Sequence, residues 1–304
     1  MTLHLLPADV RYCRALQKKY GKSYYFATKL FPKEKRDATN VLYAFFRLPD
    51  EIVDNPRLDS AEAIHDELVH WKEAWGRAYA RELGWEKTSD PLWVPVLRAT
   101  SEVFHAFAIP LEYSEDFIKA MLQDVTKSSY KSYAELERYM YGSAAVVGLM
   151  MTYVIGFTDK RALLYAEELG YAMQLTNFLR DIQEDFEERG RIYLPAEELS
   201  SFGITKEDIK NGVCNEMFKR FMGFQMSRAR ALYVSADEGV PLLNKDGQLA
   251  VRVASTLYEA ILDKIEEADY DIFEGRVRTN FIEKLVLAYG VWKAEKRSSS
   301  SAAV

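Results

Sequence analysis

Cysteine is nearly missing. The 304 residues hold only Cys13 and Cys214, far apart and without metal-ligand spacing. A disulfide framework is therefore not expected, and a reducing, cytoplasmic setting fits. A basic excess is also absent: the net charge is −6 and the pI near 5.5, which argues against a nucleic-acid partner. Long apolar runs are missing too. The most apolar stretch, GSAAVVGLMMTYVIG from Gly142 to Gly156, is short for a bilayer span and reads as a buried helix. The opening MTLHLLPADVRYC has no basic segment followed by an apolar one, so no signal peptide is expected. No G-x-x-x-x-G-K-[ST] loop occurs, which disfavours a P-loop triphosphatase, and no G-x-G-x-x-G element marks a dinucleotide site.

What remains is rich in core material. The chain is 48% hydrophobic with 19 Tyr and 16 Phe, enough to pack a core or line an apolar pocket. Apolar residues recur at three and four, and alternating runs are short, so helices are expected nearly throughout. Pro32 begins one, running through KEKRDATNVLYAFFRL. Others cover SAEAIHDELVHWKEAWGRAYARELG, the segment after Asp90 and Pro91, and residues 114–127, 133–155, 160–188, 215–239, 248–268 and 279–294. No linker or fixed-period repeat divides the chain. The reading is one all-α domain over residues 1–297 and a disordered tail, SSSSAAV, at 298–304.

Two polar stripes stand out. At 100° per residue, Tyr43, Arg47, Asp50 and Asp54 fall within roughly 60° of one helix face. Taken alone, RLPDEIVD has a plainer explanation: Pro49 starts a new helix, and Asp50 and Glu51 favour its dipole. The second stripe alters that ranking. In YAMQLTNFLRDIQEDFEERGRIYLP, Gln174, Asn177, Asp181 and Asp185 share a sector of roughly 80° on an otherwise apolar helix. Short Asn and Asp are poor helix formers, so their fixed spacing suggests a demand for compact oxygen ligands. Such ligands, without clustered His or Cys, suit a hard cation. Mg²⁺ binds through one or two carboxylates plus substrate phosphates, and Arg47, Arg180, Arg189 and Arg191 are at hand for phosphate oxygens.

The small residues of ERYMYGSAAVVG admit two readings, close helix packing or a groove cleared for a long apolar chain. Thr28 and Asn40 are candidates for the wall of such a groove, where their modest size would leave room for a twenty-carbon substrate.

YAFFRLPDEIVD, YMYGSAAVVG and QLTNFLRDIQEDFEERGRIYLP together resemble the head-to-head prenyl synthases, the phytoene, squalene and dehydrosqualene synthases, from about Ser23 to Arg278. The Asp-Glu-x-x-Asp form of the first motif is more similar to a bacterial-type phytoene synthase. The resemblance implies a terpenoid-synthase helical bundle around a central cavity. It implies Mg²⁺ (Mn²⁺ as an alternative) held by Asp50, Asp54, Asn177, Asp181 and Asp185. Tyr43 and Tyr139 would face the reacting carbons. Substrate would meet Ser23, Tyr24, Arg47, Gln174, Asn177, Arg180, Arg191, Tyr193, Tyr258 and Arg276, with Arg278 an equal match for the last.

The implied reaction joins two geranylgeranyl diphosphates to phytoene through a cyclopropyl diphosphate, the first step of carotenoid biosynthesis, with no NADPH. The alternative product is squalene or dehydrosqualene from two farnesyl diphosphates. Peripheral contact with a membrane for product release, and transfer to downstream carotenoid enzymes, are compatible with so apolar a product. Pro49 departs from the family pattern, which puts the straightness of its helix in question. Two further readings compete: a non-catalytic helical binding protein, and a di-iron bundle built on Glu62-x-x-His65 and Glu102-x-x-His105.

Overall fold

The computed structural model describes residues 3–54, 60–275 and 277–301. In chain order the helices are α1 (Pro7–Tyr20), α2 (Lys22–Thr28), α3 (Lys33–Asp54), α4 (Ala61–Tyr79), α5 (Val94–Phe107), α6 (Leu111–Asp124), α7 (Tyr133–Met140) and α8 (Val146–Ile155). They continue as α9 (Ala162–Arg180), α10 (Ile182–Arg189), α11 (Ala196–Ser201), α12 (Lys206–Lys210), α13 (Glu216–Asp237), α14 (Lys245–Glu267) and α15 (Phe281–Ser301). Among the described residues there is no strand, only two isolated bridges, Ser129 with Ile192 and Phe157 with Leu243. The all-α expectation therefore holds. The 14-residue α1 lies outside the helices expected from sequence, as do α2, α11 and α12, which are too short to carry a clear periodicity.

Pro49 does not begin a helix. It lies buried inside α3, which runs on to Asp54. Lacking an N–H, it cannot bond the carbonyl of Phe45 four residues back, a defect the surrounding packing must offset. Tyr43 and Arg47 thus stay on one helix with Asp50 and Asp54. The expected helix over 160–188 is instead two. Asp181, at φ −106° and ψ 15°, joins α9 to α10, yet its N–H still bonds the Asn177 carbonyl at 2.9 Å and Asp185 N–H its own carbonyl at 2.8 Å. The joint bends the chain, with one helical hydrogen bond into Asp181 and one out of it. Between α7 and α8, Tyr141–Ala145 form one π-helical turn, a distortion common at functional sites. The last helix reaches Ser301, four residues into the segment read as a tail. Arg276 lies outside the described residues.

Aromatic packing fixes the cavity-bearing helix. Phe45 of α3 is 4.9 Å, centroid to centroid, from Trp75 of α4, and Trp75 is 5.0 Å from Phe104 of α5. Such pairs are each worth about 0.5–1.5 kcal/mol beyond the area they bury. The Trp75 indole donates to Ser114 Oγ of α6 at 2.9 Å, so its one polar atom is satisfied. With Val41, Leu42 and Phe45 anchored in this core, α3 turns its Tyr43–Arg47–Asp50–Asp54 stripe the other way.

Across the bundle α8 and α9 pack closely. A Cβ on Gly148 would lie 2.5 Å from the Ala166 carbonyl oxygen, so no larger residue fits without parting the two helices. Ser143, Ala144 and Gly148 also line the central cavity. The small-residue run therefore packs closely against α9 and also borders the cavity.

Candidate active site

The bundle encloses a cavity of about 710 Å³. Its mouth is polar and its depth apolar, with Phe31, Val147, Met151, Ile155, Leu169 and Leu243 on the walls. Tyr43, Arg47, Asp50 and Asp54 of α3 line it, as do Gln174, Asn177 and Arg180 of α9 and Asp185 of α10, with Asp181 between those two. The two acidic segments, far apart in sequence, thus share one mouth.

Arginines interleave with the acids. Arg47 donates to Asp50 Oδ2 at 2.5 Å and to Glu51, while its guanidinium lies 4.4 Å over the Tyr20 ring. Arg180 binds Asp181, Nε to Oδ1 2.8 Å. Arg189 bridges the segments, with Nε 3.0 Å from Asp54 Oδ1 and Nη1 3.1 Å from Asp185 Oδ1. Arg191 follows Gly190, whose φ of 65° turns the chain after α10. From there its Nη1 reaches Asp54 Oδ1 at 3.3 Å and its Nη2 donates to the Asp124 carbonyl at 2.8 Å. Burial and the neighbouring Asp54 carboxylate push Asp50 up to about 6; burial and Asp181 push Asp185 up to about 7. These carboxylates stand where their negative charge is unwelcome.

A divalent cation fits that donor set. It would relieve the crowding and free the arginines for phosphate oxygens, and the buried Arg47 Nε has no hydrogen-bond partner of its own. Among the described residues no three His, Cys, Asp or Glu side chains converge on a single ion position. A preformed protein cage is therefore not what the site offers. It matches instead the mode in which Mg²⁺ takes few carboxylates and completes its shell with water and phosphate.

Below the acids lie two aromatic groups. Tyr24 and Tyr258 have ring centroids 4.8 Å apart, and Tyr43 is 6.5 Å from Tyr24. Gly21 makes room for this group, since a Cβ there would sit 2.6 Å from the Tyr43 ring. On the opposite side Phe178 and Tyr193 stack at 4.2 Å, with Tyr139 5.6 Å from Tyr193. Tyr139 Oη donates to Asp124 Oδ2 at 2.5 Å.

Most residues singled out from sequence meet in this one place. Ser23 does not: it is half-buried on α2, outside the cavity lining, which takes Lys19 and Tyr20 from the preceding helix. Asn40 also fails as a wall residue. It is buried away from the cavity and donates to the Arg36 carbonyl at 2.7 Å, whereas Thr28 does line the wall. Sequence reasoning missed Asp124, Glu184 and Glu51. Asp124 has no acid at helical spacing to signal it, and burial pushes it up to about 7 despite Arg191 and the Tyr139 hydrogen bond.

The di-iron reading fails on geometry. His65 is exposed beside Asp66, Glu102 pairs with Arg81 at 3.0 Å, and His105 Nδ1 lies 2.7 Å from the Ser101 carbonyl oxygen.

Comparison with known proteins agrees with this architecture. A phytoene synthase of Arthrospira platensis is 35% identical over 277 residues, covering 87% of this chain and 86% of the relative. A 15-cis-phytoene synthase of Synechocystis is 33% identical, covering 92% and 83%. Among solved structures, a dehydrosqualene synthase in complex with ligand superposes with a TM-score of 0.82 at 28% identity, covering 95% of this chain and 97% of the other. The squalene synthase HpnC from Alicyclobacillus acidocaldarius follows at 0.75 and 25%, covering 87% and 95%. The expected terpenoid-synthase-like helical bundle is thus the fold observed. The family model described as squalene/phytoene synthase matches residues 17–283, and the chain belongs to that family.

Proposed function

We propose that the protein condenses two geranylgeranyl diphosphates head to head into phytoene, through a cyclopropyl diphosphate. The observation that carries this reading is the facing of Asp50 and Asp54 against Asp181 and Asp185 at the mouth of an apolar cavity. The naming of cyanobacterial relatives as phytoene synthases supports the choice of product.

Asp50, Asp54, Asp181 and Asp185, with Asn177, would hold Mg²⁺ or Mn²⁺, which supplies Lewis-acid assistance to diphosphate departure. Arg47, Arg180 and Arg191 leave their carboxylates to grip the diphosphate oxygens and offset the charge that develops there. Gln174 extends the polar wall beside Asn177. The faces of Tyr43 and Tyr139 stabilise the allylic cation through their quadrupoles, with Tyr24, Tyr193 and Tyr258 behind them. Val147, Met151 and Leu169 keep water from quenching that cation. No reduced nicotinamide is required for this product.

Dehydrosqualene or squalene formation from two farnesyl diphosphates is the rival, favoured by the structural likeness to a dehydrosqualene synthase. The test is inorganic diphosphate release from each substrate, with and without NADPH. Metal-dependent release from geranylgeranyl diphosphate, unaffected by NADPH, supports the proposal. Release from farnesyl diphosphate alone assigns the rival.

A further inference from the structure

The outer face of α15 is exposed and apolar. Phe281, Ile282, Leu285, Val286, Tyr289 and Trp292 are all exposed, Ile282 at 71% and Val286 at 64%. At 100° per residue they fall within roughly 140° of arc. Among the described residues α13 comes next with three large exposed apolar side chains, Met217, Phe224 and Val234, and no other helix has more than one. Lys293, Lys296 and Arg297 share or border that arc, with Lys296 Nζ 4.3 Å over the Trp292 ring. The acids of the helix are elsewhere: Glu283 pairs with Lys264 of α14 at 2.9 Å and Glu295 with Arg252 of α14 at 3.3 Å. The outward sector is therefore apolar and cationic, with its aromatics near the cationic end.

The opposite face of α15 has an ordinary structural task. Leu287, Ala288 and Val291 pack on Ala27, Val253 and Leu257 of α2 and α14. Ala27, together with Ala254, also lines the central cavity. Behind α15 the cavity wall is accordingly made of small side chains.

We infer that the outer face of α15 docks on an anionic lipid surface. A helix lying in the interface with apolar side chains in the acyl boundary and Lys or Arg at the headgroups has this pattern. Tyr and Trp, apolar in body and polar at one end, favour the same depth. No helix is long and apolar enough to cross a membrane among the described residues, so the contact is peripheral. Docking in this pose brings the small-residue wall of the cavity to the bilayer. The docking is independent of the reaction, and only its advantage for an apolar product rests on the proposed function.

Tryptophan emission from the full-length protein tests this. Trp71, Trp75, Trp85 and Trp93 are buried, so Trp292 alone among the five is placed to respond to lipid. Vesicles of phosphatidylcholine with phosphatidylglycerol should sediment the protein and shift its emission to the blue. Pure phosphatidylcholine should bind roughly a hundredfold more weakly, about fivefold for each of three cations. The double variant Ile282→Glu/Val286→Glu should lose at least tenfold in vesicle affinity with unchanged circular dichroism and Tm. Absence of sedimentation and of any blue shift overturns the inference. So does tight vesicle binding by the double variant. Self-association in gel filtration that the variant breaks, without vesicle binding, assigns the face to a second copy of the chain and overturns it equally.

Discussion

Arg189 of α10 lies 3.0 Å from Asp54 of α3, and through this contact the two acidic segments are tied together without any metal. The same guanidinium meets Asp185 at 3.1 Å. It therefore stands as an internal counter-ion at the place where cation and diphosphate would enter.

Removing that counter-ion should expose the repulsion it offsets. Arg189→Gln is expected to lower the Tm of the metal-free protein at neutral pH by several degrees, and millimolar Mg²⁺ should restore most of the loss. Thermal unfolding of both proteins with and without Mg²⁺ checks this. An equal response of variant and wild type to Mg²⁺ would show that Arg189 is not acting as the counter-ion.

Asp50→Asn and Asp181→Asn should each reduce turnover by roughly a thousandfold, the scale on which preorganised charge stabilisation acts. The fold should survive. For Asp50 it should be slightly firmer, because its raised pKa means that its charge is disfavoured in the folded state. Steady-state kinetics beside a melting curve separates these effects. Full activity in either variant would favour a non-catalytic binding role.

The pH response follows from the same crowding. Asp50 and Asp185, raised from 3.8 to about 6 and about 7, retain protons in the folded, metal-free state. Their contribution to stability is complete below the ordinary carboxylate pKa and is lost as pH rises to about 7. Metal must displace those protons. The Mg²⁺ concentration for half-maximal activity should thus be on the order of tenfold higher at pH 6 than at pH 8. A pH-independent requirement would count against these two ligands.

Much of this site was legible in sequence because helical periodicity is local. Tyr43, Arg47, Asp50 and Asp54 are spaced to share a face, and they do, once Pro49 proves internal to α3. Proline alone could not decide that, since it suits a first turn and is tolerated within a helix only where tertiary packing holds the helix together. The joint at Asp181 was hidden because Gln174, Asn177, Asp181 and Asp185 keep helical spacing straight across it. Arg189 and Asp124 acquire their roles from α3 and from the Tyr139–Arg191 contacts, which no spacing records. Asn40 failed because its distance from Tyr43 was read as a shared face, whereas it turns into the core.

Substrate length should respond to Thr28. Its hydroxyl accepts from Gln17 Nε2 at 2.9 Å and donates to the Tyr24 carbonyl at 2.7 Å, and the residue lines the cavity wall. Thr28→Phe should raise the KM for the twenty-carbon diphosphate at least tenfold and favour the fifteen-carbon one. It also leaves the Gln17 amide without this acceptor, at a stability cost of about 1–3 kcal/mol that a melting curve would read. An unchanged substrate preference would place the length determinant elsewhere.

The most direct measurement is the identity of the hydrocarbon. Purified protein, geranylgeranyl diphosphate and Mg²⁺, without NADPH, should yield phytoene by mass spectrometry and chromatography, and none when the metal is chelated. A hydrocarbon formed only from farnesyl diphosphate, or equal yield after chelation, would contradict the account.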